Sequence, residues 1–422
     1  MVFASCFLDY TQMRILVILP FVPWSVRVRS SNLIPRLARS HIIDLICLAS
    51  SEHDLSRLNG IRAFCATTNC TMHSKTRALF QVAKALLTPV PLRMAYASSP
   101  AMEARVRSLI ESSRPDLIYV ERWRGLQYVP LDCGIPVLCD PTDSMILYNK
   151  RLILRGSWWE RMLGIEEYVK FLRYEPALAR RATRTIFCSR LDRDCLLEMD
   201  ANLACEIVPN GVDCNRFSRK RDEEAEPATI IFTGNFRYRP NLHAAEFFLG
   251  RVLPAVKREC PKVVLLLVGN GAKDRLRKYN SVPGVELIDF VPDLRPYLAR
   301  ATIAIAPITV GVGVSNKVLE AFSVGTPVVA TALACGDLPV QDGKHLYLAN
   351  DPGLFRERVL NLLRDASMRA RMADEARSLV EKGYDWEVVA AKLELVMHQT
   401  VEGNASSDAA AASRDSHRVL VN

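Results

Sequence analysis

Lys317 and Glu320 stand three residues apart, behind the short run Gly311-Val312-Gly313-Val314-Ser315-Asn316. On a helix starting near Asn316, that spacing puts both side chains on one face. A helix start offers unbonded backbone N–H groups and the positive end of the helix dipole, so it holds anions. Gly311 and Gly313 let the backbone approach a ligand with no Cβ in the way. A lysine in the first turn neutralises phosphate charge. A carboxylate one turn later can accept two hydrogen bonds, which suits the vicinal hydroxyls of a ribose. These types at this spacing describe a nucleoside diphosphate lying along a helix start. An exposed lysine and glutamate on a surface helix fit the spacing equally well. Glu121 follows the apolar run "DLIYV" and is open to two readings, a ligand-facing acid or a solvent-facing loop residue. His243 reads as a structural histidine, and no His, Asp and Glu cluster has the spacing of a metal site.

Such residues need a scaffold. Short apolar runs ("ILVIL", "IIDLICLAS", "DLIYV", "IPVLCD", "RTIFCS") alternate with stretches of helical period such as "TRALFQVAKALL" and "AMEARVRSLIESS". Strands alternating with helices imply a parallel sheet covered on both faces. A charged, apolar-poor segment, Phe217 to Thr229, interrupts the pattern. The alternation then restarts with "IIFTGN", "HAAEFFLGRVLPAVKREC", "KVVLLLVGNG", "VELIDFV", "TIAIAPI" and "TPVVAT". The expected organisation is an N-terminal extension over 1–12, with Met13 as a potential start, then an α/β domain over 13–216. A linker over 217–229 and a second α/β domain over 230–385 follow. A final helix over 386–402 and a disordered tail over 403–422 complete it. Two doubly wound sheets in one chain imply a cleft between them, and ligands of such sheets sit at the carboxyl ends of the strands.

Composition agrees with this scaffold. The chain has 422 residues, 49% hydrophobic and 24% charged, which is ordinary for globular protein and long enough for two domains. A net charge of +9 favours anionic partners, although a solvated basic surface has the same balance. The twelve cysteines include no Cys-x-x-Cys pair and read as reduced thiols of a cytosolic chain. "ILVILPFVPW" is too short to span a bilayer and contains two prolines, so Arg14 to Leu19 reads as a first buried strand, not a signal-peptide core. No Gly-x-Gly-x-x-Gly follows that strand, which argues against a dinucleotide oxidoreductase. Basic charge without an aromatic-basic platform argues against nucleic acid as a partner.

At "VPNGVD", "FTGNFRYRPN", "LLLVGNG", "GVELIDFVPDLRPYLARATIAIAPI" and "NKVLEAFSVGTPVVAT", the second half resembles the donor domain of the family 4 glycosyltransferases. These are retaining enzymes of the GT-B fold. The first half is similar at "PDLIYVERWRGLQYV" and "YEPALARRATRTIFCSRLDRDCL", so the likeness runs from about Met13 to about His398. It implies two Rossmann-like domains facing a central cleft, with the acceptor on the first and a nucleoside-diphosphate sugar on the second. Glu320 then matches the carboxylate that holds the donor ribose, and Lys317 a basic position on the diphosphate. Phe290 and Val291 match a segment whose backbone faces the base. Gly234, Asn235, Gly269 and Gly311 to Asn316 line the donor. Arg239, near Arg237, matches a phosphate-flanking cation, while Asn235 stands where many members carry an arginine. Glu121 takes the place of a histidine common in the family, which implies a catalytic or acceptor-side role. Ser30, Ser31 and the arginines of "FVPWSVRVRSSN" stand in for the family's glycine-rich loop after the first strand.

The resemblance further implies no metal or other cofactor, because protein cations and helix dipoles take up the leaving diphosphate's charge. One departure stands out: Val312 occupies the position of the family's first motif glutamate, which contacts the transferred sugar. That leaves the sugar open. It also keeps a second reading alive, an inactive nucleotide-sugar-binding scaffold in a polysaccharide assembly complex. The acceptor implied is a saccharide or lipid-linked saccharide of the cell surface. Finally, Trp158, Met162, Ile165, Val169 and Leu172 share one helical stripe amid many basic residues. Such a stripe is either core packing or a peripheral membrane contact of a cytoplasmic protein.

Overall fold

The computed structural model describes residues 11–23, 28–155, 157–218, 225–309 and 316–419, with side chains left out at 155 and beyond 404. The chain divides into two compact units, residues 1–208 with 390–422, and residues 209–389.

The first unit holds seven parallel strands: β1 (Arg14–Leu19), β2 (Ile42–Ala49), β3 (Thr67–Met72), β4 (Leu117–Glu121), β5 (Val137–Thr142), β6 (Arg184–Phe187) and β7 (Cys205–Ile207). Their order is β3-β2-β1-β4-β5-β6-β7. In β1 every residue after Arg14 is buried, and β4 and β5 are buried throughout. Strands buried on both faces read as continuous apolar runs, which is why β1 was legible as "ILVIL". Ile15 pairs with Ile43 on one side and Leu117 on the other, so the order reverses between β1 and β4.

The second unit holds β8 (Thr229–Thr233), β9 (Val264–Val268), β10 (Val285–Ile288), β11 (Ile303–Ala306), β12 (Val328–Ala330) and β13 (Tyr347–Leu348), in the order β10-β9-β8-β11-β12-β13. Here the reversal lies between β8 and β11. The expected fold, two doubly wound parallel sheets, is the one observed.

The boundaries differ from those read off the sequence. The first crossing between units falls after Val208, not in 217–229. Residues from Pro209 onward are tied to the second unit. Val212 N donates to Tyr384 O, Cys214 N to the Asp385 carboxylate at 3.0 Å, and Ser323 Oγ to Phe217 O at 2.8 Å. Residues 219–224 lie outside the described residues, but Glu226 is held within the second unit by Arg300 and Thr302. The composition of 217–229 mimics a linker, whereas the hydrogen bonds of Phe217 and Glu226 tie both of its described ends to the second unit. The second crossing falls after Val389, four residues beyond the expected 385. The final helix runs Trp386–Val419, past the expected end at 402 and through the segment expected to be disordered. That segment has no proline and a run of alanines from 409 to 412, and alanine is the best helix former. Within 239–259, the helix widens to a π-turn at Phe248–Val252. Pro254 has no N–H to give the Gly250 carbonyl, and its ring would clash there.

Candidate functional site

The switch point of the second sheet lies beyond β8 and β11, where open α/β sheets take ligands. β11 leads to residues 307–309 and then to the helix Asn316–Val324. Residues 310–315 lie outside the described residues, so Gly311, Val312, Gly313, Val314 and Ser315 are left as sequence expectations. Lys317 is in the first turn of the helix and Glu320 in the next. Lys317 Nζ donates to Asn241 Oδ1 at 2.9 Å and sits 5.3 Å from the centroid of the Phe232 ring on β8. Burial pushes the Lys317 ammonium down to about 8, partly offset by Glu320. Burial likewise raises the Glu320 carboxyl to about 7, partly offset by Lys317. Each group therefore lacks the hydration its charge wants, and a bound diphosphate would favour the charged lysine. The side-chain oxygen of Asn316 is buried without a hydrogen bond.

The loop after β8 completes this end of the sheet. Gly269 has φ +139°, and a Cβ there would come 2.1 Å from the Gly234 carbonyl oxygen, so only glycine allows the two loops to touch. Gly234 N donates to Val268 O and Phe236 N to Asn270 O. Asn241 Nδ2 donates to the Asn235 carbonyl at 3.0 Å, which carries the loop's position directly to Lys317. Arg239 is the exposed first residue of the helix Arg239–Phe247. Phe290, just past β10, is exposed, while Val291 is half-buried against the core. Gly234, Asn235, Gly269, Asn316, Lys317 and Glu320 thus share the carboxyl end of the sheet. Asn241, the partner of both Lys317 and Asn235, was missed in the sequence; its only signal was its place in "RYRPN".

The first sheet carries a different set at its own switch point. Glu121 ends β4 and is 2% exposed, with Oε2 lacking a hydrogen bond. Burial raises its carboxyl to about 7, and Arg122 and Arg29 oppose the rise. Ser30, from the helix Val28–Leu37, adds a further opposing influence, and Ser31 follows it on the same helix. Asp140 on β5 accepts from Arg29 Nε at 2.5 Å and from Tyr119 OH at 2.6 Å. Arg122 and Thr142 both have φ of +72°, unfavourable for residues with a Cβ. Arg122 is held there by its amide on Asp140 O and its guanidinium on Asp143. Strain of this kind persists where surrounding bonds over-determine it, and it gathers at functional sites. Tyr119 and Asp140 escaped the sequence reading, with a lone aspartate closing "IPVLCD" as the available hint; Arg29 was among the arginines noted after the first strand, but its pairing with Asp140 was not.

One further cluster could hold a metal ion among the described residues: His41, Glu394 and His398, at the amino ends of β1 and β2. Met13 N donates to His41 Nδ1 at 3.2 Å, which puts the ring proton on Nε2, 3.0 Å from the Glu394 carboxylate. In that tautomer Nε2 is a donor and offers no lone pair to a metal. Elsewhere, His243 is half-buried in the helix Arg239–Phe247. No helix among the described residues is long and apolar enough to cross a membrane.

Comparison with known proteins agrees with this architecture. The family profile described as Glycosyl transferases group 1 matches residues 227–365. A phosphatidyl-myo-inositol mannosyltransferase of Mycobacterium leprae is 30% identical over 338 residues, 75% of this chain and 83% of that one. An uncharacterized 44.6 kDa protein in the cps region of Klebsiella pneumoniae is 28% identical over 164 residues, 37% of this chain and 42% of that one. In the solved structure of Anabaena HepE with UDP-glucose, the fold matches with a TM-score of 0.67 at 16% identity, covering 92% of this chain and all of that one. With a near full-length relative at that identity and its sheets arranged as a GT-B fold, the chain belongs to the group 1 glycosyltransferases.

Proposed function

We propose that the chain transfers a hexose, with retention of anomeric configuration, from a nucleoside-diphosphate sugar to a saccharide or lipid-linked acceptor of the cell surface. The observation that carries this is Lys317, partly desolvated in the first turn of its helix at the β8/β11 switch point, with Glu320 one turn behind. In this reading Glu320 accepts from the ribose hydroxyls and Lys317 meets the diphosphate. As the bond from the anomeric carbon to the phosphate oxygen breaks, charge grows on that oxygen. Lys317 and the helix N-terminus are then worth more than in the ground state. The acceptor hydroxyl attacks from the face the diphosphate leaves, and its proton goes to the departing phosphate. The products are the glycosylated acceptor and a nucleoside diphosphate. Phe290 and Val291 flank the base and Arg239 the phosphates. Glu121, a buried acid with an open oxygen, holds an acceptor-side hydroxyl without taking its proton.

The relatives' names support the choice of substrate class: one is a mannosyltransferase acting on a phosphatidyl-inositol, and the HepE structure holds UDP-glucose. This reading uses protein cations alone, with no metal or cofactor, and places the enzyme on the cytoplasmic side. Calorimetry with UDP, GDP and their hexose conjugates, followed by a transfer assay with and without a chelator, tests it. Binding of one nucleotide with turnover insensitive to the chelator is the expected result. Tight binding with neither transfer nor donor hydrolysis would favour the scaffold reading, which Val312 motivates. Glu121→Gln should lower kcat while leaving donor affinity unchanged; an unchanged kcat would remove Glu121 from the reaction.

A further inference from the structure

We propose that the first unit docks on an anionic phospholipid surface through two neighbouring helices, Lys75–Ala85 and Trp158–Ala179. The inference goes beyond the transfer reading and does not rest on it. Its starting point is an apolar face that the described chain leaves uncovered. Trp158 and Trp159 are 61% and 67% exposed, and their indole rings stack with centroids 3.4 Å apart. Glu160 accepts from the Ser157 amide at 2.8 Å and so fixes the helix start that presents them. Met162, Ile165 and Val169 continue the exposed strip along the following turns. On the other helix, Phe80 is 60% exposed, and Leu87, just past its end, is 93% exposed. The two helices adjoin, since Lys170 Nζ donates to the Ala85 carbonyl at 2.6 Å.

The stripe is not core packing, which was one of the two readings of the sequence. The Trp158–Ala179 helix already packs by its other side, through Gly164, Phe171 and Leu178; of the stripe only Leu172 joins that side. Large apolar side chains gathered on an outer face mark an interaction surface. Charge selects the occupant. Residues 71–102 contain no aspartate or glutamate, yet include Lys75, Arg77 and Lys84, with Arg93 already paired to Glu167. On the second helix Arg161 and Arg173 are exposed. Its four acids are engaged internally, Glu160 with Ser157, Glu166 with Lys170, Glu167 with Arg93 and Glu175 with Trp123. An apolar strip with a cationic rim complements acyl chains beneath anionic headgroups, and tryptophan favours that boundary. A second copy of this chain would set like charges against each other.

The test is co-sedimentation of the full chain with phosphatidylcholine vesicles, with and without about one part in three phosphatidylglycerol. Partitioning should be at least about tenfold stronger on the anionic vesicles and weaken in high salt. Lipids brominated on the acyl chains should quench tryptophan emission of the unmutated protein. Trp158→Ser with Trp159→Ser should cut partitioning about tenfold, with melting temperature and nucleotide affinity, both measured without vesicles, unchanged. Parent protein remaining in the supernatant, variants that partition like the parent, or emission that brominated lipid leaves unquenched would each overturn the proposal. So would variants that dissolve a soluble oligomer, because the face would then be a protein interface. Nucleotide affinity is read independently, so failure here and failure of the transfer reading are distinguishable.

Discussion

The two sheets reverse strand order in the same way but furnish their switch points differently. Beyond β8 and β11 stands a lysine that donates to the Asn241 amide oxygen, with a glutamate a turn away. Beyond β1 and β4 stands a web of buried charge, in which Arg29 and Tyr119 converge on Asp140 and a strained Arg122 reaches Asp143. In the first arrangement burial opposes both charges, and each partly offsets that for the other. The second satisfies most of its own charge, and leaves Glu121 Oε2 and Ser30 Oγ buried without a hydrogen bond. A shared topology therefore carries two different arrangements, a buried lysine and glutamate whose charges burial opposes, and a web of charge paired largely within itself.

The contrast can be broken from the first sheet. Asp140→Asn leaves Arg29 buried without its counter-charge, and removing one partner of a buried pair costs about 3–5 kcal/mol. Urea unfolding should show that loss while nucleotide affinity holds. A loss below about 1 kcal/mol would mean the web is not structural. Lys317→Ala should act in the opposite way, lowering kcat about 100- to 1000-fold, as loss of a transition-state charge partner does. If only KM rises, Lys317 contributes uniform binding and no more.

Smaller changes sharpen the comparison. Glu320→Ala should weaken nucleoside-diphosphate binding about tenfold by calorimetry, the usual scale for a charged hydrogen bond. Equal affinities would detach Glu320 from the ribose. The mildest effect is on pH. The Lys317 ammonium loses its proton near 8 in the folded chain, below its ordinary 10.5. Nucleotide affinity should fall about threefold between pH ~7.5 and ~8.5 as the cation is lost. Across the window from about 8 to 10.5 the unfolded chain binds more protons at this site, so the ligand-free fold should gain stability as pH rises. Affinity and stability moving in opposite directions is the signature; Lys317→Ala should abolish both trends.

Much of this was legible in the sequence, for physical reasons. Strands buried on both faces leave apolar runs, so β1 and β4 were readable, and a helix start with Lys317 and Glu320 is a local pattern. Pairings made by distant chain were not readable. Arg29 meets Asp140 across 111 residues, and nothing local marks the two as partners. The unit boundary was misread because charge density suggests a linker, whereas the hydrogen bonds of Val212, Cys214 and Phe217 decide which unit owns the segment. Periodicity identified the Trp158 stripe as apolar, but periodicity carries no information about whether anything covers it.

The last helix has a consequence for synthesis. Glu394 binds Ser40 and His41, so the first unit is closed by residues made some 350 positions later. On a ribosome adding ~5–20 residues per second, the stretch from 209 to 389 takes roughly 10–40 s to appear. Throughout that interval the amino-terminal sheet waits without its closing helix, while the intervening unit is already whole as its last residues emerge. The nascent chain thus completes its middle before its beginning, and a chaperone that shields the early sheet has a defined span in which to act.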